Sequence, residues 1–290
     1  MNETALIRAI ARWSAAPVGH GLIAGIGDDC AILRPRPGED LLLTTDLLIE
    51  NVHFTRASHT PAQAGWKAMA RSLSDIAAMG GEPRFALLSL ALAPWTGARE
   101  LRAFFRGASR LARRHGVRII GGDLTRAAAL ACDTVVIGAA PRGSALRRDG
   151  ARPGDGIYVS GPLGRAAAAQ WRVRAEPRIA LGMELRRRFR ATACMDLSDG
   201  LSLDLHRMML ASGACAEIQS AAIPLARGAT LEQALHGGED YELLCTLPPT
   251  HRRRADSGLT LIGYVTAGRA GRVRLDGRPL AARGWDPFRS

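Results

Sequence analysis

Residues 41–92 read LLLTTDLLIENVHFTRASHTPAQAGWKAMARSLSDIAAMGGEPRFALLSLAL. The apolar run at 41–49 is strand-like, 61–79 carries apolar residues at helical spacing, and 84–92 is strand-like again. The alternation extends both ways from there. Residues 3–13 read as an amphipathic helix with Asn2 as its N-cap. Downstream, 97–115 is helical, 117–120 is a short apolar strand, and TVVIG at 134–138 is β-like. The Gly-, Pro- and Arg-rich segment at 139–156 punctuates the pattern and is expected to join two domains, 1–140 and 141–290. Alternation then restarts with IYVS at 157–160, a long helical region at 163–190, a helix at 200–212 and a strand at 215–219. The expected fold class is α/β, with α+β character, in two halves.

Composition narrows the function classes. The chain has 290 residues, 47% hydrophobic and 23% charged, which excludes a disordered basic tail. The longest apolar run, Phe85 to Ala93, is broken by Ser89 and stopped by Pro94, well short of the roughly 18 residues a membrane span needs. The opening MNETALIRAIARW does not fit a signal peptide. Cys30, Cys132, Cys194, Cys215 and Cys245 form no CxxC pair, so a reducing cytoplasm is expected. Thirty-nine Lys+Arg against 27 Asp+Glu gives a formal charge of +12, which first suggests nucleic acid. Lys67 is the only lysine, however, and the arginines fall in runs at 186–188 and 252–254 that suit solvated helix faces. With 5% aromatics there is little for base stacking, so nucleic acid is not the expected partner.

The chemistry lies in the minority charge. Acids stand beside Gly, Ser or Thr in GIGDDC (Asp28, Asp29), TTD (Asp46), LSD (Asp75), GGD (Asp123), DLSDG (Asp196, Asp199) and GGEDYE (Glu239, Asp240). Singly, each is ordinary turn or N-cap chemistry. As a set they are harder to dismiss. Asp46 interrupts a strongly apolar strand, where a carboxylate is costly unless paired or bound to a cation. Asp75 sits among the core-like Leu73, Ile76 and Met79. Convergent carboxylates repel unless divalent cations intervene, and hard oxygen ligands favour Mg²⁺ over Zn²⁺. Mg²⁺ held by carboxylates normally accompanies phosphates, most often those of a nucleotide. Neighbouring glycines would let backbone approach phosphate oxygens, yet the chain has neither a P-loop nor a kinase motif set.

The ordered motifs GIGDDCAIL (25–33), TTDLLIENVHF (44–54), KAMARSLSDIAAMGGEP (67–83), GGDLTR (121–126), RDGARPGDGIYVSGPLG (148–164), DLSDGLSLDL (196–205) and GGEDYELL (237–244) resemble those of thiamine-monophosphate kinases. That family falls within the aminoimidazole ribonucleotide synthetase-like ATP-dependent superfamily. The resemblance covers most of the chain and is weakest at 165–190 and in the tail. It implies transfer of the γ-phosphoryl group of ATP to thiamine monophosphate. It also implies an N-terminal mixed sheet with a barrel-like homodimer interface, a C-terminal α/β domain, and a nucleotide cleft lined by both. By motif position, Asp29, Thr44, Thr45, Asp46, Asp75, Asp123, Asp196 and Asp199 would hold several Mg²⁺ ions. Phe105, Gly122, Asp123, Arg148 and Ser198 would contact ATP. His53, Glu239 and Trp285 would contact the thiamine substrate.

No catalytic base is expected, because the acceptor phosphate has a second pKa of about 6 and is largely ionised at neutral pH. The chain departs from the family at Leu124, where a Thr is usual, at Phe105, where a Tyr is common, and at His236 before GGED. Two other readings remain open on sequence. One is a superfamily enzyme with a different acceptor, although no glycine-rich N-terminal tail with a reactive Cys is seen. The other is a basic RNA-binding protein without catalysis, which the intact acidic set opposes.

Overall fold

A computed structural model describes residues 9–13, 21–24, 26, 31–251 and 258–286. Of the expected features, Asn2, Asp28, Asp29 and Cys30 lie outside those residues. The chain forms two compact units, Met1–Ile76 with Gly81–Gly143, and Ala77–Gly80 with Ser144–Ser290.

The first unit contains strands β1 (Leu22–Ala24), β2 (Ile32–Leu33), β3 (Glu39–Ile49), β4 (Glu82–Leu92), β5 (Arg118–Gly121), β6 (Leu124–Arg126) and β7 (Ala131–Pro141). β1 and β2 make a small antiparallel pair. The main sheet has the order β3-β7-β4-β5, with β6 also on β4. It is mixed, because β7 is antiparallel to both neighbours while β5 and β6 run parallel to β4. The sheet is open, and no closed barrel forms among the described residues.

Two long helices, α1 (Pro61–Ala78) and α2 (Ala98–Arg114), accompany this sheet, and residues 9–13 are helical as well. Their buried residues include Trp66, Met69, Leu73 and Ile76 on α1, and Leu101, Phe104, Phe105, Ala108 and Leu111 on α2. This is the apolar stripe of a helix that covers a core. The helices cross closely: a Cβ on Gly65 would overlap the Phe104 carbonyl oxygen, and one on Gly107 would overlap that of Ala62.

β3 alternates strictly. Leu42 and Leu48 are buried on one face, while Leu41, Leu43 and Leu47 are exposed on the other, Leu43 by 67%. Among the described residues β3 is also an edge strand, eleven residues long.

The second unit holds β8 (Gly156–Val159), β9 (Ala193–Asp196), β10 (Cys215–Ile218), β11 (Leu243–Leu247), β12 (Thr260–Thr266), β13 (Val273–Leu275) and β14 (Arg278–Pro279). They form one sheet in the order β14-β13-β10-β12-β8-β11-β9. Its helices are α3 (Arg165–Ala168), α4 (Ile179–Glu184), α5 (Leu201–Ala211) and α6 (Leu231–His236). Leu201, Leu205, Met208 and Met209 of α5 enter the same core as Ile157, Val159, Met195 and Leu244 of the sheet.

The long helix expected at 163–190 is corrected. α3 is only four residues long, Gln170 and Trp171 both take positive φ, and α4 passes into a π-turn at Leu185–Phe189. Left-handed backbone cannot continue a right-handed helix, and Pro177 bars the next turn as well.

Candidate active site

In the first unit, period-two alternation turns Thr44 and Asp46 towards α1. The Thr44 hydroxyl donates to the Asp75 carboxylate. Asp46 Oδ1 lies 3.5 Å from the guanidinium of Arg71, one turn before Asp75 on the same helix. Asp46 Oδ2 is buried and has no hydrogen-bond partner among the described residues. The nearby Ser72 hydroxyl donates instead to the Thr134 carbonyl at 2.8 Å. Burial raises the pKa of Asp46, and the charge of Arg71 offsets this only in part. Thr45 points to the opposite face, where its hydroxyl donates to Asp133. The strand thus does not bring the two threonine hydroxyls together.

His53 follows β3 in a tight turn held from below. The buried Glu50 carboxylate accepts from Trp95 Nε1 at 3.1 Å and from the Leu130 amide at 2.9 Å. Lys67 Nζ donates to the His53 carbonyl at 2.7 Å. The Ile49 amide donates to His53 Nδ1 at 3.0 Å, which leaves the ring proton on Nε2. Burial first, then the charges of Arg71 and Lys67, lower the His53 pKa to about 4. A neutral imidazole that offers an N–H donor is the result. Arg71, which lies near both Asp46 and His53, was not singled out by motif reading; its only sequence signal is its place four residues before Asp75.

Gly122 has φ 146 and packs so closely on β4 that a Cβ would overlap the Leu88 carbonyl oxygen. The Leu90 amide donates to the Asp123 carbonyl at 2.8 Å, leaving the Asp123 side chain exposed. Leu88, Thr134 and Asp46 share one row across β4, β7 and β3. Asp123, bonded to β4 at Leu90, is thus separated from Asp46 by β7 and β4 along the sheet. Phe105 needs correction: it is 1% exposed, with ring contacts to Phe104 and Trp13, so it packs the α2 core and offers no face to a nucleotide.

In the second unit three separate motifs meet. DLSDG forms the turn between β9 and α5, with Asp196 buried at the strand end and Ser198 and Asp199 half-buried. The Glu239 amide donates to the Ser198 carbonyl at 2.7 Å, which sets the GGEDYE turn against it. The Trp285 amide donates to the Asp199 carbonyl at 3.0 Å, which brings in the tail. Asp196, Ser198, Asp199, Glu239 and Trp285, predicted from separate segments, are thereby gathered. Arg148 is exposed, and its carbonyl accepts from the Ser212 hydroxyl at 3.0 Å.

The scaffold beneath this cluster is acidic. Asp204 of α5 is fully buried and accepts from the Asp199 and Gly200 amides at 3.0 and 3.1 Å. Burial, then the charge of Asp199, pushes its pKa up to about 7. Arg207 pairs with both Asp199 and Asp204. Asp240 caps the start of α3 by accepting from the Gly164 and Ala166 amides at 2.6 and 3.2 Å, and burial raises its pKa. Glu242 accepts from the Ser160 hydroxyl at 2.6 Å and from Arg178 through Nε at 2.8 Å and Nη2. Sequence reading missed Asp204, Glu242 and Arg178, because nothing in their spacing reveals a through-space partner.

Among the described residues, no three Asp, Glu, His or Cys side chains stand together as a metal site. The donor set still fits a hard divalent cation: the candidates are carboxylates and hydroxyls, and the buried Asp46 Oδ2 is an oxygen ligand without a partner among them. Cys132 and Cys245 are poor soft ligands, since burial pushes their thiols up to about 12.

Comparison with known proteins adds to this geometry. Residues 27–140 match the family described as AIR synthase related protein, N-terminal domain. The thiamine-monophosphate kinase of Salmonella typhimurium (strain LT2) is 37% identical, with 91% of each chain covered. That of Halobacterium salinarum is 36% identical, with 91% of this chain and 96% of its own covered. A crystal structure of the Stenotrophomonas maltophilia K279a thiamine-monophosphate kinase superposes with TM-score 0.83 at 35% identity, covering 95% of this chain and 96% of that one. The structure of AaThiL complexed with AMPPCP and TMP superposes with TM-score 0.80 at 33% identity, covering 99% and 97%. The hydrogenase maturation protein HypE in complex with ATP shares the fold, with TM-score 0.81 and 19% identity. With identity above 30% over nine-tenths of both chains, the chain belongs to the thiamine-monophosphate kinase family.

Proposed function

We propose that this protein transfers the γ-phosphoryl group of ATP to thiamine monophosphate, releasing thiamine diphosphate and ADP. An oxygen of the acceptor phosphate attacks the γ-phosphorus as the bond to the β-bridging oxygen breaks. The acceptor oxygen is already ionised, so no residue has to take a proton. The obstacle is repulsion between two anions, and charge neutralisation with alignment is what the protein must supply. On this chain, the observation that carries the reading is Asp46 Oδ2, a desolvated carboxylate oxygen in an apolar strand with no hydrogen-bond partner among the described residues.

Asp46, Asp75 and Thr44 of the first unit, and Asp196 and Asp199 of the second, are the residues that would hold Mg²⁺. Asp29, Thr45 and Asp123 are further donors by motif position. When bound, Mg²⁺ supplies charge neutralisation and a template for the transferring phosphates. Gly122, Ser198 and Arg148 are assigned to ATP. His53, as a neutral Nε2–H donor, Glu239 and Trp285 are assigned to thiamine monophosphate. The enzyme acts as a homodimer in the cytoplasm. The dimer is supported by the exposed Leu41, Leu43 and Leu47 on an edge strand, a surface that a second copy would cover.

The test mixes purified protein with ATP, Mg²⁺ and thiamine monophosphate and resolves the products by chromatography. Thiamine diphosphate and ADP in equal amounts are expected, with no product when Mg²⁺ is chelated. Folded protein that binds ATP but forms no thiamine diphosphate would point to another acceptor.

A further inference from the structure

Trp171 lies in the segment where the family resemblance is weakest, and its conformation is unusual. Gln170 and Trp171 have φ of 51° and 56°, two consecutive non-glycine residues in the left-handed region. Each such residue costs about 1 kcal/mol or more, and it persists only where its surroundings hold it. The backbone is held by the Trp171 amide, which donates to the Ala166 carbonyl at 2.7 Å. The ring is held by Nε1, which donates to the Gly237 carbonyl at 3.2 Å. Yet Trp171 is 45% exposed, so the strained backbone does not serve to bury it.

Gly237 is the first residue of GGEDYE, two before Glu239, which itself has φ 56. Of the five tryptophans in the chain, Trp171 and Trp285 are the exposed ones. Both are tied by hydrogen bonds to the turns that meet at Glu239: Trp171 to Gly237, and Trp285 to Asp199. Two exposed tryptophans and a glutamate therefore belong to one cluster of turns. That is the composition a flat organic cation selects, through ring quadrupole and charge.

We infer that Trp171 is a specificity-determining residue that lays its indole face against the cationic thiazolium ring of thiamine monophosphate. The inference rests on the proposed reaction. Anchoring Nε1 on Gly237 fixes the ring plane beforehand, so little side-chain freedom is lost on binding.

The test uses the full chain in steady-state kinetics and in fluorescence titration with thiamine monophosphate. Trp171→Ala is expected to raise KM for thiamine monophosphate about 2- to 30-fold, the range of a cation–π contact, while kcat and KM for ATP change less than twofold. Trp171→Phe is expected to recover most of the loss. An uncharged analogue with a reduced thiazole ring should bind wild type and Trp171→Ala alike. The titration should quench wild-type fluorescence more than that of Trp171→Phe. An unchanged KM for thiamine monophosphate in Trp171→Ala overturns the inference, as does an equal loss for the neutral analogue or a fall in kcat alone. If wild type forms no thiamine diphosphate, the proposed reaction fails. The quenching difference then decides the role of Trp171, and its absence overturns that role too. Circular dichroism shows whether each variant has folded.

Discussion

Asp46 and Asp199 each stand beside one arginine, Arg71 at 3.5 Å and Arg207 in closer contact. An ion pair of this kind holds a carboxylate in one orientation. Replacing either acid by its amide keeps the volume and removes the charge. Asp46→Asn and Asp199→Asn are therefore expected to lower turnover by about 100-fold or more with the fold retained, read by coupled ADP assay and by circular dichroism. An active variant would remove that acid from the proposed metal set. His53 makes a different prediction. Its pKa of about 4 lies below the ordinary 6.5, so the unfolded chain takes up a proton before the folded one does. The stability that depends on neutral His53 is complete above pH 6.5 and is lost as pH falls towards 4. Urea unfolding of wild type and His53→Gln across that window should show the smaller acid loss in the variant. Sequence made the acids that end in turns legible, since Asp beside Gly is a local signal. Asp204 and Glu242 were not legible as scaffold, because burial and a partner far along the chain are properties of the fold.

At the scale of elements, the α1–α2 crossing depends on Gly65 and Gly107, each lying against a carbonyl of the other helix. Gly107→Ala forces a methyl into the Ala62 carbonyl, where backbone has to move. The expected cost is about 3 kcal/mol, read from the urea midpoint, whereas alanine at a roomy helical position would stabilise. Strands β3 and β4 were readable from sequence because their apolar runs are long. The region 163–190 was not. Its alanines favour helix, but the left-handed pair at Gln170 and Trp171 is fixed by contacts from Ala166 and Gly237, one of which lies 66 residues away.

For the molecule as a whole, the excess of arginine is mostly coat, and two exposed apolar features bear on function. One is the pair of exposed tryptophans, Trp171 and Trp285; the other is the leucine face of β3. Leu43→Glu and Leu47→Glu are expected to convert a dimer to monomer in sedimentation velocity while leaving the monomer folded. A variant that stays dimeric would place the interface elsewhere. The same strand has a consequence in time. Among the described residues β3 pairs only with β7, which ends at Pro141, 92 residues after Ile49 (141 − 49). At ribosomal rates of about 5–20 residues per second, that interval is roughly 5 to 18 seconds. Throughout it, a leucine-rich ribbon has left the exit tunnel with no partner from its own chain. Holdase protection of the nascent chain is therefore needed most before the first unit is complete, and a pause in translation between the two strands would lower the yield of native protein more than a pause after Pro141.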